Sequence, residues 1–120
     1  LALMELKTSN TIKPLPLQGT VSGLKCPQEV TVIGHPKGLE FTVITARLSN
    51  LNRIVDKNRM LQFDGDADHG MSGGPIIDTD GNVIGVVQGG YDEIKGQCLG
   101  VISEHVRDLC KKCNIEVTLR

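Results

Sequence analysis

Aromatic residues are scarce in this 120-residue chain: Phe41, Phe63 and Tyr91 are all of them, and tryptophan is absent. Charge of one sign is missing too, since 13 Lys and Arg stand against 14 Asp and Glu for a formal net charge of -1, with no basic run. A protein that grips nucleic acid needs a basic face and usually stacking rings, so nucleic acid is not an expected partner. The longest apolar runs extend over only a few residues, far short of the ~20 needed to span a bilayer, so no membrane partner is expected. The start lacks the charged-then-apolar pattern of a secretory leader. It also lacks an initiator methionine, and a strand-like Leu1-Ala2-Leu3-Met4-Glu5-Leu6 reads as a cut from a longer polypeptide. No second CxxC, no His pair at finger spacing and no βαβ pattern accompany Cys110 and Cys113, which favours structural thiols on a helix over a zinc or redox motif. With Cys26 and Cys98 the count is even, and two disulfides or four thiols both remain open. No repeat, low-complexity stretch or interdomain linker appears, so residues 1–120 are expected to form one domain around one core.

What the chain does have is punctuation. Gly and Pro separate short segments rich in Val, Ile and Thr, the pattern of strands joined by turns, and the expected class is all-β. Candidate strands run over 2–6, 29–34, 40–48, 59–63, 75–78, 83–88 and 97–102, with loops over 10–16 and 34–38. Their spacing suits an antiparallel barrel. Asp80-Gly81 is a hairpin signal that sets 75–78 beside 83–88. From Ser103, Val106, Leu109, Cys110 and Cys113 recur at helical spacing, with acids near the start and Lys111 and Lys112 at the end, which predicts a C-terminal helix over 103–113.

One stretch is not a core pattern: Gly70-Met71-Ser72-Gly73-Gly74-Pro75 surrounds a serine with three glycines. Glycine permits conformations and close approaches that side chains forbid, so such a loop can turn a hydroxyl outward and aim amide hydrogens at one point. An acyl-transfer nucleophile needs both. Ser72 is the candidate catalytic residue, and the backbone N–H groups of Gly70, Met71 and Ser72 are the candidate oxyanion hole.

The stretch GMSGGP resembles the GDSGGP or GNSGGP signature of trypsin-like serine proteases, and other segments follow in the order of that family over nearly the whole chain. Val30 to Arg53, VTVIGHPKGLEFTVITARLSNLNR, is similar to the HtrA (Deg) branch, with Ala46 where glycine is usual. The resemblance implies a six-stranded antiparallel Greek-key β-barrel with a C-terminal helix, the second half of a two-barrel fold. It implies a serine endopeptidase that acts on polypeptide through an acyl-enzyme on Ser72, with no cofactor and no metal. Leu1 to Leu6 is similar to the segment following the family's triad aspartate. The partner histidine and aspartate would then lie in an N-terminal barrel outside this sequence, leaving the chain alone inactive. Uncovering the face meant for that barrel would drive self-association.

The resemblance also implies substrate-binding positions at Asp66, His69, Gln88, Gly89, Gly90 and Gly100. Asp66 lies six residues before Ser72, where enzymes selecting Lys or Arg keep a pocket acid, and a solvated turn aspartate is the equal alternative. Asp64, Asp66 and Asp68 alternate like a calcium loop, but His69 and Pro75 fill the places that need glycine and a bidentate acid. His35, His69 and His105 are all away from the family's base position, His69 being too near Ser72 along the chain to turn back onto it. Met71 stands where digestive proteases carry an aspartate for a new N-terminal ammonium, and Asp68 stands where secreted members often have cysteine; both weigh toward an HtrA-like or intracellular relative. The rival reading is a peptide-binding pseudoprotease that pairs an extended chain along the edge at 88–90.

Overall fold

The computed structural model describes residues 1–35, 41–65, 70–90 and 96–119. Alternation drives the first strand: in β1 (Glu29–Gly34) Val30 and Val32 turn into the core while Thr31 and Ile33 face the other way. β2 (Thr42–Val55) pairs with it antiparallel, setting Val30 opposite Ala46 and Val32 opposite Ile44. β3 (Asn58–Asp64), β4 (Pro75–Ile77), β5 (Val83–Gly90) and β6 (Gln97–Ile102) complete a closed antiparallel barrel in the order β1-β2-β3-β6-β5-β4. That is the six-stranded barrel the sequence implied. Closure comes where β4 meets β1, with Ile76 opposite Val32 and Ile77 opposite Thr31. The interior is aliphatic around one ring, with Leu48, Leu61, Phe63, Ile76 and Ile84 buried beside Val21, Val30 and Val32.

Two expectations are corrected. Ala2 to Leu6 forms no regular element: Leu1, Leu3, Met4 and Leu6 are exposed, and no described strand pairs with them. An apolar pattern makes a strand only where a ladder partner is present. The second strand is longer than the expected 40–48, because it continues through two register shifts between Leu48 and Arg53 before turning back into β3. The shifts bend the strand around the barrel, and the turn uses Asp56 and Lys57 at φ 49° and 67°. Consecutive residues with positive φ make a hairpin turn of the primed kind, normally announced by Asn-Gly, and Asp-Lys carries no such signal.

The helix α1 (Ser103–Lys112) packs on β5 and β6. It ends at Cys113 as C-cap: Asn114 takes φ 56°, its N–H reaches the Lys111 carbonyl at 3.1 Å and the Ile115 N–H reaches that of Cys110 at 2.9 Å. This paired closure satisfies the carbonyls left open by the last turn. At the other end Glu104 ties three elements together. Its Oε1 accepts the Val21 N–H at 2.9 Å, and Oε2 lies 3.6 Å from Arg59 Nη1 on β3. Arg107 Nη1 donates to the Gly19 carbonyl at 2.7 Å, so the segment before β1 is held to the helix and Val21 is sealed under it. None of the four cysteines forms a disulfide.

Replacing Glu104 by Ala strands the Val21 N–H and the Arg59 charge together, which should lower stability by about 1–3 kcal/mol in urea denaturation. Alkylation should divide the thiols. Cys26 and Cys113 are exposed and should react in the native protein, whereas Cys98 and Cys110 are buried and should react only on unfolding. Partial burial raises the Cys26 thiol above its ordinary value, so its rate should climb only as the pH enters the alkaline range.

Candidate active site

The loop that leads into β4 is built as a tight turn. The Gly74 N–H bonds to the Met71 carbonyl at 3.0 Å, with Ser72 and Gly73 at the two central positions and Gly73 at φ 89°. A positive φ at the second central residue is the mark of a type II turn and explains a glycine there. Ser72, at the first corner, is exposed.

Each residue of the turn is anchored separately. Gly73 N–H donates to the Val87 carbonyl at 2.8 Å, and Val87 N–H donates back to Gly74 at 2.9 Å, joining the loop to β5. Gly70 accepts from the His35 N–H at 3.0 Å, joining it to the end of β1. Gly74 lies so close to β1 that a Cβ there would collide with the Ile33 carbonyl oxygen, and only glycine allows that approach.

The Ser72 hydroxyl donates to the Gln88 carbonyl at 2.8 Å. That carbonyl is available because β5 is irregular at this point: Val87 pairs with Gly100 and Gly89 with Leu99, leaving Gln88 as the extra residue of a bulge. Gly89 is adjacent, and a Cβ on it would sit 3.7 Å from Ser72 Oγ. The β4 side of β5 is paired only as far as Val86 and held by Gly74 at Val87, so past Gln88 that edge has no strand partner among the described residues. Nor does any described residue accept a hydrogen bond from the N–H groups of Gly70, Met71 or Ser72. An exposed hydroxyl thus stands beside unspent amide donors and an open strand edge.

Of the residues singled out from sequence, the fold brings together Gly70, Met71, Ser72, Gln88 and Gly89, with exposed Gly90 following on the same strand. Asp66 and His69 lie outside the described residues. Gly100 is placed differently: it is buried in β6, where a Cβ would collide with Ile76 Cδ1, so packing against the core accounts for its lack of a side chain. No described histidine accepts from Ser72. The His35 main chain serves the loop, and His105 on α1 lines an open groove of about 710 Å³ together with Gln88, Val101 and Leu109. Among the described residues no cluster of three or more His, Cys, Asp or Glu could hold a metal. Sequence reasoning missed Ile33 and Gly34, whose tight contacts to the loop leave no trace in the motif.

Residues 1–86 match the family model described as the trypsin-like peptidase domain. The chain belongs to the trypsin-like peptidase family. Its curated relatives are of the HtrA type. It is 31% identical over 128 residues to the serine protease HtrA-like of Staphylococcus epidermidis, covering 93% of this chain and 22% of that protein. It is 35% identical over 96 residues to the serine protease Do-like HtrB of Bacillus subtilis, covering 72% and 21%. The trypsin-like chain therefore spans about a fifth of the length of these relatives. Among solved structures, it is similar to the active form of the Rv3671c protease from M. tuberculosis, with TM-score 0.72 and 26% identity over 89% of this chain and 52% of that one. The HtrA-type protease AlgW with tripeptide shares the fold at TM-score 0.75 and 22% identity, covering 91% and 37%.

If Gly74 is glycine because of Ile33, Gly74→Ala should cost roughly 2–3 kcal/mol, since the clash is with backbone and no side chain can yield. Gly90→Ala is the control: nothing lies within 4 Å of a Cβ there, and its denaturation midpoint should match the parent's.

Proposed function

We propose that this chain is the nucleophile-bearing barrel of a serine endopeptidase, and that a second barrel of the same protein supplies the base. The observation that carries the reading is the exposed Ser72 hydroxyl, 2.8 Å from the carbonyl of a strand with an open edge, beside the N–H groups of Gly70, Met71 and Ser72, which have no acceptor among the described residues. An extended polypeptide would pair along residues 88–90, laying its scissile carbonyl over the turn. Ser72 Oγ attacks the carbonyl carbon as its proton passes to a histidine of the other barrel, and the new oxyanion takes the N–H groups of Gly70 and Ser72. Collapse breaks the C–N bond, the histidine's proton leaves with the amine, and water releases the acyl group by the same steps. No step calls for a metal or cofactor. The exposed apolar strip Leu1, Leu3, Met4 and Leu6 is the surface that a second barrel would cover, and it is the face through which the isolated chain would self-associate.

A serine hydroxyl at neutral pH is a poor nucleophile until a base takes its proton. The purified 120-residue chain should therefore show no peptidase turnover above that of its Ser72→Ala variant. The full-length protein should cleave an unfolded polypeptide and be labelled by a serine-directed phosphonate at Ser72 alone, as read by peptide mass mapping. Robust Ser72-dependent cleavage by the isolated chain would place the base within it. A full-length protein that binds extended peptide but leaves Ser72 unlabelled would favour the peptide-binding pseudoprotease.

A further inference from the structure

We propose that Met71 is a positioning residue: an apolar peg, seated in a notch left by Gly34, that holds Ser72 and the neighbouring N–H groups at the barrel rim. The proposal rests on reading Ser72 as the nucleophile.

Met71 lies between Gly70 and Ser72, both exposed, yet it is itself only 1% exposed. Its side chain belongs to the same buried cluster as Val30, Val32 and Ile76, so the serine loop sends one residue into the core and keeps its neighbours in water. The room for it is specific. A Cβ at residue 34 would lie 2.6 Å from Met71 Sδ and 2.9 Å from Met71 Cα, so the seat exists only because β1 ends in glycine. The residue just past β1, His35, donates its N–H to the Gly70 carbonyl at 3.0 Å. The end of β1 thus holds residue 70 by a hydrogen bond and residue 71 by packing, while β5 holds residues 72 and 73.

The consequence is mechanical. Met71 lies directly between the two donors, Gly70 before it and the Ser72 N–H on the peptide group after it, so the depth of the peg sets where those donors stand. A thioether has no charge, and the seat depends on burial and dispersion alone, not on an ion pair that salt or pH could dissolve. Met71→Ala empties the seat, and Gly34→Ala fills the notch from the opposite side. Both move the donors without touching substrate.

Kinetics of the full-length protein test this, with Met71→Ala and Gly34→Ala measured beside the parent. Removing one oxyanion donor outright costs ~10²–10³ in kcat, so displacing the donors should lower kcat by at least about tenfold. KM should stay within about twofold, the sign of a contact made only in the transition state. A peptide boronate, which becomes a tetrahedral anion on Ser72, should weaken in step with kcat, while a non-cleavable peptide binds as before. Met71→Leu, which refills the seat, should recover most of the rate. Unchanged kcat in both variants, equal weakening of boronate and plain peptide, or loss of the fold in both would make Met71 a core residue only and overturn the proposal. A parent protein that neither turns over nor labels at Ser72 would instead remove the nucleophile reading, and the proposal with it.

Discussion

Closing the barrel and placing Ser72 are one contact. β4 is three residues long, and it joins β1 through Ile76 and Ile77 immediately after the turn that carries Ser72. Gly74 can enter β4 only by passing against the Ile33 carbonyl, and Met71 can leave the loop only into the space beside Gly34. The last two residues of β1 therefore set the height of the turn, while Val87 and Gln88 of β5 set its tilt. A loop pinned on two strands of a closed barrel cannot drift without opening the ladder, and preorganised donors need that rigidity.

The same constraint explains what the residue pattern revealed about the fold. Strands 29–34 and 97–102 have the same bounds in the residue pattern and in the structure, because Pro27 and Pro36 bracket the first and Gly96 and the helix start at Ser103 bracket the second. The residue pattern does not show the later half of the second strand, Ser49 to Val55, because its alternation is broken: two register shifts rotate successive side chains off the regular faces. Leu1 to Leu6 shows the opposite failure. Its residues have the composition of a strand, but strand formation is a property of a pair, and no partner for it lies among the described residues.

The site was legible to the extent that it is local. Three glycines around a serine announce a turn with outward hydroxyl, and the turn is there with Gly73 at positive φ. What could not be read is long-range: that Ile33 and Gly34, some 40 residues earlier in the chain, form the wall of the loop. Nor did the motif show that Met71 points inward. A methionine among glycines has no periodic context, so neither helical nor strand spacing can assign its side chain to a face.

A β-bulge normally leaves one residue of the longer strand without a ladder partner, and here the residue so freed is the one whose carbonyl meets Ser72. A chain pairing along the open edge of β5 needs main-chain acceptors of that strand, and the Gln88 carbonyl is the acceptor closest to the nucleophile. The serine and an arriving strand N–H then compete for it. On the proposed reading, a substrate that takes the carbonyl would make the hydroxyl give up its proton's present partner, and the acceptor that would turn this into chemistry is a base. Ser72 is thus held in a neutral hydrogen bond of ordinary strength, about 0.5–1.5 kcal/mol net. That is small enough for strand pairing to release it, and sufficient to keep the side chain in one place until then.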